Sequence, residues 1–404
     1  MDKISLSKAK ARDFLISYQG LKPSNQFSGK QGIIDFIHRV GCIQFDPLNV
    51  VGFNQELVLQ SRIYNFCTHM LQELLYKERV LLDGWDKNMS IYLTEDWPCF
   101  SRFRALKREQ LKNVKEVQAI RHDVISIIKE KGPVSSKDLS YNQIVDWPWA
   151  PTRLSRAALE SLYFAGDLII YNKDRTRKMY DVTDRNLPEQ LLLKEDPNKT
   201  FEQYVDWYVM RRIGAIGLLW DRSGDAWLGI RGIKSSDRKM SLQRLIEAGK
   251  LIEVTIHGIS NKFYMRKTDE SFLTKHSGGQ SYASIIAPLD NLIWDRKLIK
   301  ELFEFEYIWE VYKPVNERSY GYYVLPILHN DRFIARFEPV KDKKKKVLMI
   351  KNWWWEPGFT VSEQLKFDLK TCFERFIRYL GVEQILADSN LIEEKNLGWL
   401  VDEK

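Results

Sequence analysis

The residues best placed to do chemistry sit in one short run, Gly41-Cys42-Ile43-Gln44-Phe45-Asp46-Pro47-Leu48. Most of it reads as buried strand, yet it carries an amide and a carboxylate two residues apart, with a proline directly behind. Proline disfavours the helical region for the residue before it, so Asp46 is expected to be extended. Alternate side chains of an extended segment share a face, so Gln44 and Asp46 point one way and Phe45 the other. Two rises of about 3.3 Å place their Cβ atoms about 6 to 7 Å apart, close enough to converge on one small object. A carboxylate in a site that excludes water stabilises developing positive charge and can deprotonate a water. A glutamine takes up no proton at physiological pH and can only hold and orient. The same residues have a plainer use. Asp followed by Pro is a standard helix start, with Asp46 as N-cap, Pro47 at the first helical position and "LNVVGFNQELVLQSRI" as the helix. A helix N-terminus would also keep Asp46 ionised, so capping and catalysis are compatible.

These residues must be positioned by a chain of 404 residues, long enough for several domains and a sizeable core. Hydrophobic content of 44% and aromatic content of 13% mark a globular protein. The four cysteines are scattered without CxxC pairing, and the six histidines show no HExxH. No metal site or cofactor is expected. No apolar run approaches the roughly 20 residues of a membrane span, and "MDKISLSKAKARDFL" lacks a signal-peptide core, so the expected compartment is the cytoplasm, without membrane partners. The net charge of +8 makes nucleic acid the first candidate partner, although it also serves ordinary solubility.

The clearest architectural signal is an internal repeat. "LESLYFAGDLIIYNKDRTRKMY" (159–180) and "LQRLIEAGKLIEVTIHGISNKFY" (242–264) share a leucine-rich helix, an Ala-Gly stop and two strand-like runs about a polar turn. A helix that ends in glycine and leads into a hairpin is the second half of a winged helix. Upstream of the first copy, "AIRHDVISIIKEKG" reads as a helix ending at Gly132, Ser135 or Ser136 caps a short helix, and Thr152 caps the recognition-type helix. The expected fold is α+β: three tandem winged-helix modules, a small C-terminal antiparallel β-barrel and a closing helix. The boundaries read as 1–115, 116–195, 196–275, 276–360 and 361–404, the last being helix and polar tail. The long run from Ile285 to Pro314 reads as strand. Basic side chains recur in successive modules and could meet phosphates: Arg153, Arg156, Lys173 to Lys178, Arg211, Arg212 and Arg231 to Lys239. Each alone is as readily a solvated surface.

At this point the chain resembles the AlkZ/YcaQ family of bacterial DNA glycosylases. The resemblance runs from about residue 8 to about 380 and rests on "GCIQFDPLNVV", "ELVLQSRI", "IIAPLDNLIWDRK", "RSYGYYVLPILHNDRFIARFEP" and "FERFIRYLG". The family's catalytic motif falls on Gln44-Phe45-Asp46, in the Asp-bearing form of the YcaQ branch. The resemblance implies monofunctional removal of N7-alkylated purines and unhooking of interstrand crosslinks, with winged helices and a hairpin on duplex DNA and no metal. It implies a bacterial cytoplasmic protein at the nucleoid during repair, expected to act as a monomer. N7-alkylation already makes the base a good leaving group, so the chemistry needs little acid; it needs a carboxylate for the oxocarbenium-like sugar and a held water. On that reading Asp46 supplies the first and activates the second, and Gln44 positions it.

One position departs from the family: where a Trp-x-His segment is common, this chain has Trp85-Asp86-Lys87, so Lys87 is a candidate phosphate contact or merely exposed. Asn54, Ser61 and Arg62 follow the motif at helical spacing and could face the lesion or the backbone, or pack at the core edge. Asp290, Asn291, Trp294, Asp295 and Arg296 read as a structural polar cluster, and Trp353 to Trp355 as aromatics split between core and surface. The competing function is a winged-helix regulator that binds DNA without chemistry. It would have no use for a convergent amide-carboxylate pair.

Overall fold

The computed structural model describes residues 3–23, 27–148, 150–228, 232–274 and 279–402. The chain forms two compact units, one of residues 1–71 with 205–404 and one of residues 72–204. Among the described residues no helix is long and apolar enough to cross a membrane.

In the first unit, helix Lys8–Tyr18 starts on Ser7, whose hydroxyl accepts from the Lys10 amide, and buries Phe14, Leu15 and Tyr18. Helix Gly29–Val40 buries Ile33, Phe36, Ile37 and Val40 at the spacing of one helical face. It stops at Gly41, whose φ of 81° turns the chain straight into the short strand Cys42–Gln44. Helix Phe201–Ile216 leads to strand Leu219–Trp220, helix Ser235–Glu247 and a hairpin, Leu251–Ile256 with Ile259–Arg266. These strands form one sheet, and Lys3–Leu6 adds to Leu251–Ile256 in parallel.

A second sheet follows, of strands Ala283–Ile285, Leu325–His329, Arg332–Asp342, Val347–Trp355 and Gln384–Ala387 in that order. Its first four strands are antiparallel and the last joins in parallel. The described residues show one five-stranded sheet where the sequence suggests a small antiparallel barrel or curled sheet. Helix Glu363–Leu380, capped by Ser362, packs Phe373 against Phe337 at 5.2 Å, and Trp353 lies in the same core. The sequence hides three elements here. The tail that reads as polar holds the edge strand Gln384–Ala387 and helix Ser389–Lys395, whose carbonyl at Lys395 accepts from the Trp355 indole. The run from Ile285 to Pro314, read as strand, instead contains helix Arg296–Phe303. Asp295 caps it through the Leu298 amide, and Leu298, Ile299, Leu302 and Phe303 share its buried face. A long segment without strand follows, from Glu304 to Val324, broken by one short 3-10 turn at Val315–Glu317.

The second unit contains hairpin Leu81–Asp86 with Asn88–Leu93, helices Ser101–Leu111, Lys115–Lys131 and Leu154–Ala165, and hairpin Leu168–Asp174 with Arg177–Val182. Helix Lys115–Lys131 ends at Gly132 and helix Leu154–Ala165 at left-handed Gly166, as the repeat implies. Two local expectations fail. Ser135 does not start a helix: its amide and hydroxyl both donate to Asp138, closing a turn. Thr152 is no cap either, since Thr152–Arg153 pairs with Ile144–Val145 as strand and the helix begins at Leu154.

Several basic residues expected to meet phosphates are instead spent inside the protein. Arg212 is fully buried, Arg238 donates to the Asp221 carbonyl at 3.0 Å, and Arg211 ties the Gly41 carbonyl at 2.9 Å. Arg231 lies outside the described residues. Lys173 makes an interior ion pair with Asp83, their side chains 7% and 1% exposed, and Tyr76 donates to the other Asp83 oxygen at 2.9 Å. Breaking such a pair on one side leaves an uncompensated buried charge, at a cost of about 3 to 5 kcal/mol. Lys173→Met should therefore lower the urea midpoint for unfolding of this unit sharply. A midpoint within error of wild type would show that the pair is not holding the hairpin.

Candidate active site

The strand bearing Gln44 is short, and side chains hold two of its carbonyls. The Asn54 amide donates to the Gln44 carbonyl at 2.8 Å, and the Asn291 amide donates to the Cys42 carbonyl at 3.0 Å. Both asparagines are fixed by what else they touch. Asn54 opens helix Asn54–Gln60, and its Oδ1 accepts from the Leu289 amide at 2.9 Å. Asn291 opens a 3-10 turn capped by Asp290, and its amide reaches the Ala215 carbonyl as well. The capping aspartate takes both guanidinium arms of Arg62, at 2.8 and 2.7 Å, with neither side chain exposed. Arg62 also donates to the Gln19 carbonyl at 2.7 Å and to Val58 and Ser61, its plane lying over the Phe36 ring.

Asn54, Ser61 and Arg62 are thus brought together with the motif, but as its interior scaffold. Their burial corrects the reading of Ser61 and Arg62 as surfaces for lesion or phosphate: every described bond they make goes inward. The polar cluster around Asp290 has the structural role its sequence suggests. Asp295 adds a bond from the Trp220 indole at 2.9 Å, and Trp294 donates to the Leu289 carbonyl at 3.0 Å. Lys87, Arg153 and Arg156 belong to the other unit. Lys87 is buried at the turn of its hairpin and is not an exposed side chain, its carbonyl accepting from Ser90 at 3.0 Å. Arg153 and Arg156 are exposed, and Arg156 pairs with Glu160 at 3.0 Å.

Gln44 is buried and Asp46 half-buried. No helix starts at Asp46. The Leu48 amide donates to its Oδ1 at 2.8 Å, a local turn, while the next helix begins at Asn54 behind Phe53. The capping reading is therefore overturned. Without a helix dipole behind it, Asp46 feels mainly partial burial, which raises its pKa above the ordinary carboxylate value against the lowering bond from Leu48. Behind it, Glu56 is buried, raised by that burial, and accepts from Tyr379 at 3.2 Å.

The aromatic neighbours of Asp46 escaped the sequence reading. Desolvation first pushes up the phenols of both Tyr312 and Tyr323; the Asp46 charge adds to it at Tyr312, and Tyr307 and then Asp46 add to it at Tyr323. Only the aromatic density of "EFEYIWEVYKP" and "YGYY" hinted at them.

The family model for AlkZ-like DNA glycosylases matches residues 37–379, a span that includes the motif, the polar cluster and most of the second sheet. The chain belongs to the AlkZ-like DNA glycosylase family. This glycosylase is accordingly a DNA-repair hydrolase of N-glycosyl bonds with DNA as its substrate. Its fold is also similar to that of the Streptomyces sahachiroi DNA glycosylase AlkZ, with a TM-score of 0.64 at 13% identity, over 95% of this chain and 100% of that one. The regulator reading gives way to the enzyme.

A carboxylic acid whose pKa rises on folding favours the folded state while protonated, and that contribution is lost as the pH climbs through the raised value. Ionised Asp46 is therefore a cost to stability at neutral pH. Asp46→Asn, which keeps an acceptor for Leu48, should melt at or above the wild-type temperature at neutral pH, the difference closing near about pH 4. A clear loss of melting temperature at neutral pH would mean that the charge is stabilised by something else.

Proposed function

We propose that this glycosylase hydrolyses the N-glycosidic bond of N7-alkylated purines in duplex DNA and unhooks interstrand crosslinks made at the same atom, with Asp46 and Gln44 as its catalytic residues. The observation that carries this reading is the half-buried, cap-free carboxylate of Asp46 two residues beyond buried Gln44, on a strand pinned by Asn54 and Asn291. A fixed negative charge with reduced access to water is worth most where positive charge grows, here on the sugar as the base departs. Little reorganisation is needed at that moment, because the strand's carbonyls are already held by Asn54 and Asn291. The raised pKa also makes Asp46 a better base for the attacking water than an ordinary surface carboxylate. Gln44, fixed by the same strand, orients that water or the sugar through its amide. The base leaves as a neutral purine, so no general acid is required of the protein.

The repeated helix-and-hairpin segments at 115–182 and 201–266 support reading them as winged-helix modules that lie on the duplex, with helices Lys8–Tyr18 and Gly29–Val40 opening a more divergent first module. Exposed Arg153 and Arg156 are then the phosphate contacts kept from the sequence reading. We take the enzyme to act as a monomer, since several such modules in one chain can surround a lesion without a two-fold partner.

The reading is tested by single-turnover release of N7-methylguanine from a duplex, with EDTA present. Removing one preorganised electrostatic group typically lowers such rates about 10²- to 10³-fold, so Asp46→Asn should fall by that amount and Gln44→Ala by less, both binding DNA as wild type does. The wild-type rate should drop as acid protonates Asp46, with its midpoint above the ordinary aspartate value. A variant Asp46→Asn that releases the base at the wild-type rate would remove Asp46 from the mechanism.

A further inference from the structure

The segment from Glu304 to Val324 is long for a stretch with so little regular structure, and long irregular loops in compact domains are usually functional. This one is also stiff. The Tyr307 hydroxyl donates to the Val324 carbonyl at 2.7 Å, closing its base. Inside it, buried Glu310 accepts from the Ser319 and Tyr320 amides at 3.1 and 2.9 Å and from Lys313 at 2.8 Å. Arg318 reaches back to the Lys313 carbonyl at 2.9 Å, and Arg336 lies under the Tyr320 ring at 4.1 Å. The stem alternates: Phe305 and Tyr307 face the core while Glu304, Glu306 and Ile308 face out.

So tight a loop would be expected to tuck its large apolar groups away. It does the opposite. Tyr312 is 84% exposed, Val315 79% and Ile308 51%. Tyr312 stands edge-on to Trp309 at 5.8 Å, and Trp309 edge-on to Tyr323 at 6.5 Å, so the exposed ring continues a ladder of aromatics leading inward. The innermost rung, Tyr323, is buried. The base of the loop meets the motif's scaffold directly: Arg296 lies at the Tyr307 ring at 4.5 Å and donates to the Pro288 carbonyl at 2.6 Å, and the adjacent Leu289 amide donates to Asn54, which holds the Gln44 carbonyl. An aromatic displayed on a loop joined in this way to the carboxylate's strand suits a particular occupant. A nucleobase stacks on a tyrosine face for about 1 to 3 kcal/mol, and a base carrying positive charge is drawn further by the ring's electron-rich face and by the neighbouring anion.

We propose that the loop Glu304–Val324 is the lesion-reading wall of the site, and that Tyr312 lays its ring against the alkylated purine, favouring the cationic base over neutral guanine. This rests on the reading of Asp46 as the catalytic carboxylate and adds the element that selects the substrate. Tyr312 is here a specificity residue, contributing a face and not a proton.

The test compares Tyr312→Ala, Tyr312→Leu and Tyr312→Phe in the full-length enzyme, each checked by circular dichroism. The readouts are the enzyme concentration for half-maximal single-turnover release of N7-methylguanine and, separately, affinity for the undamaged duplex. Loss of one stacked base corresponds to about a tenfold rise in half-saturation. That rise is expected in the Ala and Leu variants, with Phe restoring wild-type behaviour and undamaged-duplex affinity unmoved in all three. Wild-type half-saturation in Tyr312→Ala overturns the proposal, as does rescue by Leu equal to rescue by Phe. Asp46→Asn run alongside separates the two claims. Full activity in Asp46→Asn with discrimination lost in Tyr312→Ala sinks only the catalytic assignment, and the reverse pattern sinks only the loop.

Discussion

The buried pairing of Arg62 with Asp290 is the constraint from which the site is assembled. Each of the two charges loses its water, and an interior ion pair of this kind repays that loss only when its remaining bonds are satisfied. Here they are: Arg62 also serves the Gln19, Val58 and Ser61 oxygens, and Asp290 also receives the Leu292 amide. The result is a fixed point with two short arms. One arm is Asn291, next in sequence to Asp290, which takes the Cys42 carbonyl; the other is Asn54, on the helix that precedes Arg62, which takes the Gln44 carbonyl. A three-residue strand has little stability of its own. The side chains at its carbonyls help to fix the strand that carries Gln44 and leads to Asp46.

Around this point the environment of Asp46 is set by what is missing as much as by what is near. A helix beginning at Pro47 would have given the carboxylate the positive end of a dipole and a pKa below the ordinary range. The helix begins only at Asn54, which leaves Asp46 to partial desolvation. The same residue in the same sequence is thereby shifted from a stabilising cap to a charge held at a cost to the fold. On the proposed reading, that cost is what a charge kept for a reaction carries.

Much of this was legible in the amino-acid sequence, and the parts that were not have a common cause. The glycine stops at 132 and 166 are local signals and were legible, whereas the caps expected at Asp46, Ser135 and Thr152, equally local, gave way to turns and strand pairing. The Gln-x-Asp spacing and the polar cluster at 290–296 were visible as well. What sequence could not supply was partnership over long separations. Arg62, Arg212 and Lys173 look like any solvated cation until Asp290, the core of the unit and Asp83 are seen beside them. The helix Arg296–Phe303 was masked by a composition rich in β-branched and aromatic residues, and only its buried face and its Asp295 cap decide it. Tyr312 was passed over because an aromatic in a loop carries no period to read.

The unit that holds the motif is made from two stretches of chain with the whole of residues 72–204 between them. Asn291 reaches Cys42 across 249 residues, and Arg62 reaches Asp290 across 228. During synthesis, therefore, the Gln44–Asp46 segment leaves the ribosome with Asn54 close behind it but long before Asn291 and Asp290 exist. On the proposed reading the site is completed only when nearly three-quarters of the chain has been made, and a prematurely terminated product lacking the 290s would carry the complete motif without Asn291 or the partner of Arg62.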